Sequence, residues 1–342
     1  MMGRFQVKSR QSVSMIDVSV SRTMAMTGFR GFILVVIVGA GFMHCTLKME
    51  PLKLDVSNSI INLSSSLIST RASDSSAHEG GSAHSSTVAA IDKLLRDNKC
   101  IDLYIDMGTN IGVQPRKLYE PSCYPGAYSI PLFSRVFGHK AIEEKSVCAI
   151  GFEPNIRHAP RLLQVEAHLK RKGVRVKIFT TTGISGNDEN ATFFSDGKYG
   201  KEEWGGGIFA SRIKRGARMN AGNYPVTVVS LHSILGAVKA YGKIRNLLMK
   251  LDIEGSEYKA LANAAAHRVL CSAANTTSFY IEQHPQIVGA YKVPPPPGLV
   301  NSLFWMTTYT EGCTTKLESS DDETFLHDTT NKSDAACYLP RL

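Results

Sequence analysis

The sequence predicts an α/β fold, in which a single domain with a doubly wound, mostly parallel sheet follows an N-terminal membrane anchor and a stem. Three observations support this prediction. Short β-rich runs alternate with helical runs over most of the chain, three of the β-rich runs end at acidic residues, and a basic segment precedes an apolar run near the N-terminus. With 342 residues, 43% of them hydrophobic, the chain can form a sizeable core, which excludes a wholly disordered protein.

The first 46 residues have the pattern of membrane targeting. Residues 1–31 contain five basic residues and one acid, and the run Phe32–Cys45 that follows has no charge. Because basic flanks stay in the cytoplasm, we expect a cytoplasmic tail (1–31), a signal anchor (32–46) and a lumenal remainder, as in a single-pass type II membrane protein of the Golgi or ER. Two alternatives stay open: cleavage after the apolar run, which would release a secreted protein, and a buried core helix.

The basic tail also explains much of the net charge of +9. A strongly basic balance can indicate nucleic-acid binding. Here nearly half of the excess charge lies before the apolar run, where it orients a membrane protein. We therefore expect no nucleic-acid partner.

Residues 47–87 are predicted to form a stem. Between Ser57 and Ser86 there are 12 serines and few large apolar residues. Such a stretch buries too little surface to offset its ordering entropy, so we expect a flexible spacer. The folded domain is expected over residues 88–342, beginning with a helix at Val88–Asp97.

The cysteines and glycosylation sequons agree with a lumenal domain. The domain holds an even number of cysteines, which suits disulfides in an oxidising compartment: Cys100, Cys123, Cys148, Cys271, Cys313 and Cys337. Because Cys313 and Cys337 flank one C-terminal loop, we expect these two to pair. The Asn-x-Ser/Thr sequons begin at Asn62, Asn190, Asn275 and Asn331, as in a glycoprotein.

The order of elements in the domain predicts a parallel sheet with helices on both faces. The predicted strands are Ile101–Asp106, Val147–Glu153, Val174–Thr180, Leu247–Asp252 and Ser278–Glu282. The predicted helices between them are Ile111–Tyr119, Ala159–Arg171, Val229–Tyr241 and Glu257–Ala266. A closing antiparallel pair is expected from Leu303–Thr310 and Ala336–Leu339. Two stretches interrupt the alternation, Pro121–Lys145 and Asn187–Tyr224, and are expected to build a lid or a substrate wall.

The first predicted strand ends at Asp106 and continues into a glycine turn, in the run Tyr104–Gly112. Gly108 permits a sharp turn, and Gly112 permits a close approach of helix and strand. The run lacks the third glycine of a dinucleotide-binding G-x-G-x-x-G, and Asp106 would repel a pyrophosphate. We therefore expect a cationic group here, such as a sulfonium or an amino-acid ammonium. The alternative is a tight turn that binds no ligand.

The second and fourth predicted strands also end at acidic residues. Glu153 begins the run E-P-N, and a carboxylate at that place can accept hydrogen bonds from both ribose hydroxyls of a nucleoside. A solvated carboxylate is the alternative. The run D-I-E-G-S-E begins at Asp252. Helix capping would explain Glu254 or Glu257, but it would not explain Asp252 at the strand tip.

These three motifs, in this order, resemble the FkbM-type family of S-adenosylmethionine-dependent methyltransferases, and the chain looks like a secretory-pathway branch of it. The family pattern D-x-G-x-N-x-G, then E-P, then D-[IV]-E-G-x-E, is met at all three places. The likeness runs from about Asp102 to His284, and the insertion Pro121–Lys145 departs from the compact members. The resemblance implies a Rossmann-like class I methyltransferase fold with S-adenosylmethionine as its cofactor.

The resemblance also implies roles for individual residues. It assigns the methionine part of the cofactor to Asp106, Gly108, Asn110 and Gly112. It assigns the ribose to Glu153 and the adenine side to Pro154 and Asn155. The segment Thr182–Ser185, with Ser185 at its end, resembles the part of the family that closes over the adenine. Asp252 would face the transferred methyl group and the acceptor.

The fifth predicted strand ends in Glu282-Gln283-His284, where the family often carries E-x-H. Methyl transfer to a hydroxyl needs a group that takes the proton, and a histidine has a suitable pKa. We expect His284 to be this base, with Asp252 or Glu282 orienting it or acting in its place. Two alternatives stay open: these three residues hold a divalent metal ion that acidifies the hydroxyl, or His284 is only structural.

The sequence thus predicts S-adenosylmethionine-dependent O-methylation of a hydroxyl on a glycan or small molecule in the secretory pathway. Basic residues in the second insertion are expected either to contact an anionic glycan or to form a solvated loop: Arg212, Lys214, Arg215 and Arg218. A Golgi-type glycosyltransferase is the first rival, because it shares the anchor and stem, but it leaves the turn after Asp106 unexplained. A catalytically silent binding module of the same fold is the second rival.

Overall fold

The computed structural model of the chain describes residues 4–6, 15–17, 36–38, 41–43, 81–195, 206–208, 222–284, 298–311, 314–318 and 337. The chain divides into two compact units, Met1–Asn62 and Leu63–Leu342. The first unit contains two antiparallel pairs of short strands: Arg4–Gln6 (β1) with Met15–Asp17 (β2), and Val36–Val38 (β3) with Gly41–Met43 (β4). The rest of the predicted tail, anchor and stem, up to residue 80, lies outside the described residues. Among the helices that are described, none is both long and apolar enough to cross a membrane.

The second unit contains two sheets. Its strands are Asp102–Met107 (β5), Val147–Glu153 (β6), Arg175–Thr180 (β7), Thr182–Ser185 (β8), Glu189–Phe194 (β9), Asn223–Ser230 (β10), Asn246–Leu251 (β11), Thr276–Ile281 (β12) and Thr314–Glu318 (β13). The large sheet has the order β7-β6-β5-β11-β12-β13, and every neighbouring pair is parallel. The small sheet has the order β8-β10-β9, with β10 parallel to β8 and antiparallel to β9. In the large sheet the strand order reverses between β5 and β11.

Helices cover both faces of the large sheet. They are Gly81–Asp97 (α1), Val113–Tyr119 (α2), Ser129–Phe137 (α3), His139–Glu143 (α4), Ala159–Arg171 (α5), Leu231–Tyr241 (α6), Glu257–Ala266 (α7) and Leu299–Glu311 (α8). Each strand contributes alternate residues to two hydrophobic cores, as the pleat of a strand requires. In β5, Leu103 and Ile105 face the core formed with α1, α6, α7 and α8, whereas Tyr104 faces the core formed with α3 and α5. The predicted doubly wound α/β fold is therefore confirmed.

The first helix begins earlier than the sequence analysis predicts. It starts at Gly81 rather than Val88, inside the segment assigned to the stem. The Thr87 hydroxyl donates to the Ala83 carbonyl, and His84 Nε2 lies 3.1 Å from the Glu189 carbonyl oxygen of β9. Serine-rich composition predicts a spacer, but the contact of His84 with the small sheet and the burial of Thr87 hold this segment against the domain.

The predicted closing antiparallel pair is wrong. Leu303–Thr310 lies in the helix α8, and the last strand, β13, runs parallel to β12. The buried positions Val300, Leu303, Phe304 and Thr307 recur at helical spacing, so tertiary packing overrides the β-preference of the aromatic and β-branched residues between them. Of Ala336–Leu339, only Cys337 is among the described residues.

The predicted pairing of Cys313 with Cys337 is also wrong. Cys337 forms a disulfide with Cys123, 214 residues away, and Cys100 pairs with Cys148. Cys123 and Cys337 share a buried apolar cluster with Tyr124, so packing of the insertion, rather than proximity in sequence, brings the two sulfurs together. Cys271 is likewise disulfide-bonded.

The two predicted insertions have different structures. Pro121–Lys145 folds as a short 3₁₀ turn, α3 and α4, and its residues Leu132, Phe133 and Phe137 pack into the second core. Asn187–Tyr224 contains β9 and the start of β10. The four basic residues predicted to contact an anionic glycan, Arg212, Lys214, Arg215 and Arg218, lie outside the described residues.

Candidate functional site

The candidate site lies where the strand order of the large sheet reverses. The chain leaves β5 toward β6 on one side, and it leaves β11 toward β12 on the other. Loops that diverge in this way leave a crevice at the carboxyl ends of the two strands, which is the usual ligand site of doubly wound sheets. The turn after Met107 and the run after Leu251 border this crevice.

The turn after β5 requires glycine at position 108. Gly108 has φ of 84°, and a Cβ atom at this residue would lie 1.9 Å from the Asp252 carbonyl oxygen. The Asp252 N–H donates to the Met107 carbonyl, and the Gly108 N–H donates to the Phe152 carbonyl. The turn is therefore fixed against both neighbouring strands, and the two predicted motifs at Asp106 and Asp252 touch.

Asp106 is fully buried at the end of β5. Within the described part of the chain, neither of its carboxylate oxygens has a hydrogen-bond partner. Burial raises the pKa of Asp106 to about 7, although the nearby Lys250 ammonium opposes this shift. The Lys250 ammonium and the Tyr104 hydroxyl both favour the ionised carboxylate, whose oxygens can accept further donors from a cationic or donor-rich ligand group.

Lys250 is a site residue that the sequence analysis missed. Its Nζ lies 2.9 Å from Asp252 Oδ2, 3.4 Å from the Gly108 carbonyl oxygen and 4.0 Å from Asp106 Oδ1. Burial lowers the pKa of Lys250, but the attraction of Asp252 and Asp106 outweighs burial and leaves this pKa above its usual value. The register of β5 and β11 is the relation that identifies it, because Lys250 is the cross-strand partner of Asp106.

Glu153 ties two loops together at the end of β6. Its Oε2 accepts from the Asn110 N–H at 2.7 Å, and its Oε1 accepts from the Asn155 N–H at 2.8 Å. Asn110 has φ of 50°, a left-handed conformation, and its buried Oδ1 has no hydrogen-bond partner among the described residues. Each Glu153 oxygen keeps one acceptor position for a further donor such as a ribose hydroxyl.

The segment expected to shape the adenine side is held by its own contacts. Asn155 Oδ1 accepts from the Arg157 N–H and from the Tyr224 hydroxyl, so it caps the turn that follows β6. A Cβ atom at Gly183 of β8 would lie 3.7 Å from the Pro154 Cβ atom. The predicted segment Thr182–Ser185 therefore packs beside the end of β6. Ser185 itself is buried and pairs with Ser230 of β10.

Asp252 and His284 meet at the ends of β11 and β12. His284 Nε2 lies 3.9 Å from Asp252 Oδ1, 3.2 Å from Glu254 Oε2 and 3.1 Å from Glu282 Oε1. Burial raises the pKa of Asp252, but the Lys250 ammonium outweighs burial and holds this pKa below its usual range. The structure thus brings together the three residues predicted to be catalytic and adds Glu254.

The surroundings of His284 differ from those expected of a general base. The histidine is only 4% exposed, and its Nδ1 lies 2.9 Å from Oε1 of the fully buried Glu257. Burial lowers the pKa of His284, but the carboxylates of Glu257, Glu282 and Glu254 outweigh burial and raise this pKa to about 10. Both ring nitrogens thus lie against carboxylates, and the role of His284 as the base stays a prediction.

Sequence reasoning treated Glu254 and Glu257 as helix caps and so missed their contacts with His284. Glu257 does act locally, because its Oε2 accepts from the Gly255 N–H. Its other oxygen accepts from the backbone N–H of His284 at 2.9 Å. The signal that could have found these contacts is the parallel register, which places the ends of β11 and β12 side by side.

Among the described residues, buried acceptor atoms without a hydrogen-bond partner on the β5 side of the crevice include both oxygens of Asp106 and Oδ1 of Asn110. This arrangement can bind a ligand rich in N–H and O–H donors or in positive charge. An ammonium, a sulfonium and ribose hydroxyls meet that description. The geometry fits a nucleoside carrying a cationic amino-acid group.

Comparisons with known proteins identify the same region. The family model described as "Methyltransferase FkbM domain" matches residues 106–291, which is more than half of the chain. The matched segment begins at Asp106 and includes Glu153, Asp252 and His284. Neither the curated proteins nor the solved structures contain a match to this chain.

Proposed function

This chain belongs to the FkbM methyltransferase family, and from that premise we propose that it transfers a methyl group from S-adenosylmethionine to a hydroxyl oxygen of a glycan or small molecule. The observation that carries the proposal is the pair of unsatisfied, fully buried carboxylate oxygens of Asp106 at the reversal of the sheet. Membership of the family makes the protein a methyltransferase. The cofactor, the oxygen acceptor and the site roles are the proposed part.

The residues of the crevice fit S-adenosylmethionine. Asp106 would bind the cationic methionine part of the cofactor. Glu153 would accept from the ribose hydroxyls with the acceptor positions that its backbone bonds leave open. Pro154 and Asn155 would border the adenine together with β8.

Asp252 is proposed to face the acceptor. Its side chain is 28% exposed, whereas Asp106 is fully buried, so Asp252 is the carboxylate of the pair that an incoming hydroxyl can reach. When bound, S-adenosylmethionine would supply an electrophilic methyl group on a sulfonium. Transfer would convert the hydroxyl to a methyl ether and the sulfonium to a neutral thioether, and the proton of the hydroxyl would pass to Asp252 or Glu282. Lys250 holds Asp252 Oδ2, which leaves Oδ1 for a contact on the other side.

The disulfides support a secretory location, which we propose together with a type II signal anchor at residues 32–46. Cys100–Cys148 and Cys123–Cys337 are buried, and disulfides of this kind persist in oxidising compartments. In that location a glycan is the proposed class of acceptor. An anionic glycan would be complemented by the basic residues between positions 212 and 218.

Calorimetric titration of the purified full chain with S-adenosylmethionine tests the proposal. We expect saturable binding by the wild type and a loss on the order of 10-fold or more in Asp106→Ala, because the variant loses a charge-assisted contact to the ligand. Glu144→Gln, which changes an exposed carboxylate of the insertion, is the matched control and should bind like the wild type.

Two results would contradict the proposal. Binding of a nucleotide sugar in place of S-adenosylmethionine would favour the glycosyltransferase alternative. Tight S-adenosylmethionine binding without methyl transfer to any secreted glycan or small hydroxyl compound would favour a silent binding module.

A further inference from the structure

A histidine and three carboxylates converge beside the crevice, at the ends of β11 and β12. His284 Nε2 lies within 4 Å of oxygens from Asp252, Glu254 and Glu282. One ring N–H can be directed at one acceptor at a time. The cluster therefore offers more acceptor oxygens than the ring can satisfy.

The other ring nitrogen is held by a buried carboxylate. Glu257 Oε1 lies 2.9 Å from His284 Nδ1 and also accepts from the His284 backbone N–H. Because a carboxylate only accepts, Nδ1 carries a proton in this contact, so a cation that binds the ring would displace the proton of Nε2. A histidine that ligates a metal ion is typically held in this way, with a carboxylate fixing its orientation from behind.

Counted over the described residues, the cluster carries more negative than positive charge. Its four carboxylates, from Asp252, Glu254, Glu257 and Glu282, meet the cationic side chains Lys250 and His284. Lys250 occupies Asp252 Oδ2, which leaves Oδ1 facing the ring. The side chains of Glu254 and Asp252 are 16% and 28% exposed, so an ion can reach them from solvent.

We propose that Asp252, Glu254 and His284 bind a divalent cation, with Glu257 as the positioning residue behind His284. One ligand atom from each of the three lies within 4.8 Å of the other two, so a modest inward movement would place all three on one ion. Imidazole nitrogen together with carboxylate oxygen suits ions such as Mn²⁺ and Zn²⁺. Glu254 thereby takes the place of Glu282 in the ligand set that the sequence predicts.

The site adjoins the residue proposed to face the acceptor. A cation on Asp252 Oδ1 would bind the acceptor hydroxyl oxygen and lower the pKa of that hydroxyl. This role rests on the proposed methyl transfer to oxygen. The binding of the cation does not rest on it.

Titration of the full chain with Mn²⁺ alone, followed by the loss of the free-ion signal in electron paramagnetic resonance, tests the site. We expect a single saturable site in the wild type and affinity weaker by on the order of 10-fold or more in Glu254→Gln. Glu257→Gln should lose about 10- to 100-fold, as is typical when the partner of a ligating histidine is removed. Glu282→Gln should lose less than Glu254→Gln, and Glu144→Gln should bind like the wild type.

Absence of saturable Mn²⁺ binding in the wild type, or unchanged binding in Glu254→Gln, would overturn the proposal. A loss of Mn²⁺ affinity in Glu282→Gln as large as the loss in Glu254→Gln would also overturn it. The ligand set would then be Asp252, Glu282 and His284, as the sequence predicts. Circular dichroism identifies any variant that fails to fold. The titration of the wild type tests the proposal even if a variant does not fold. Calorimetry with S-adenosylmethionine in the absence of metal separates a failure of this site from a failure of the proposed function.

Discussion

Asp106 and Lys250 form a cross-strand pair whose chemistry is set by burial. Both side chains are removed from water, and the Lys250 ammonium is shared between Asp106 and Asp252. Because Lys250 lies nearer to Asp252, Asp252 stays ionised, whereas burial of Asp106 raises its pKa to about 7. Two carboxylates one strand apart thus have different affinities for a proton, and the more basic one faces the proposed cofactor.

Binding of S-adenosylmethionine should therefore depend on pH through Asp106. Below about pH 7 the buried carboxyl is neutral and attracts a cation weakly, whereas above it the carboxylate is ionised, so affinity should rise with pH. Calorimetry between about pH 5.5 and 7.0, below the pKa of the amino group of the ligand, measures this rise. The Asp106→Asn variant should bind S-adenosylmethionine weakly, and its affinity should not rise with pH. If the affinity of Asp106→Asn rises with pH as in the wild type, another group causes the pH dependence.

At the scale of elements, the helix α1 extends the folded domain on the N-terminal side of the alternating strands and helices. Its residues Ile91 and Leu95 are fully buried in the core shared with α6 and α7. Leu95→Ala should lower the free energy of unfolding by about 2–5 kcal/mol, because it removes apolar contacts and leaves a cavity. Denaturant unfolding measures the loss. Lys93→Ala, at an exposed position of the same helix, is the control, and equal stability of the two variants would mean that α1 is not part of the core.

The elements that the sequence predicts correctly are those with a strong local pattern. β6, α5 and α7 occupy their predicted bounds, because apolar runs end at clear signals such as Glu153. The helix α8 was missed, since residues such as Trp305 and Tyr309 favour strands locally, and only the packing of Val300 and Leu303 makes the segment helical.

The candidate site was predictable only in part, for a related reason. Asp106, Glu153 and Asp252 end their strands, which a linear pattern shows. The position of Lys250 opposite Asp106 depends on strand register, and the contact of Glu257 with His284 joins residues from two different strand ends. Neither relation is expressed in local sequence.

At the scale of the whole molecule, long-range covalent links tie the insertion to the C-terminal region. The Cys123–Cys337 disulfide spans 214 residues, and the Arg116 guanidinium donates to the Cys337 carbonyl at 2.8 Å. A link of this length could not be predicted from spacing along the chain. Together with Cys100–Cys148, it is consistent with the proposed secretory location, where glycosylation also occurs.

Asn190 provides a test of that location. It is exposed on β9, an edge strand of the small sheet, and the Thr192 of its sequon is exposed on the same face. In the sequon at Asn275, by contrast, Thr277 is fully buried, and its hydroxyl donates to the Cys271 carbonyl. If the full chain enters the secretory pathway in cells, Asn190→Gln should remove one glycosidase-sensitive step from its mobility on a denaturing gel. Asn275→Gln, the matched variant, should migrate like the wild type. A wild-type chain whose gel mobility does not change on glycosidase treatment would contradict the lumenal location. If Asn190→Gln shows the same glycosidase-sensitive shift as the wild type, the glycans lie at other sequons.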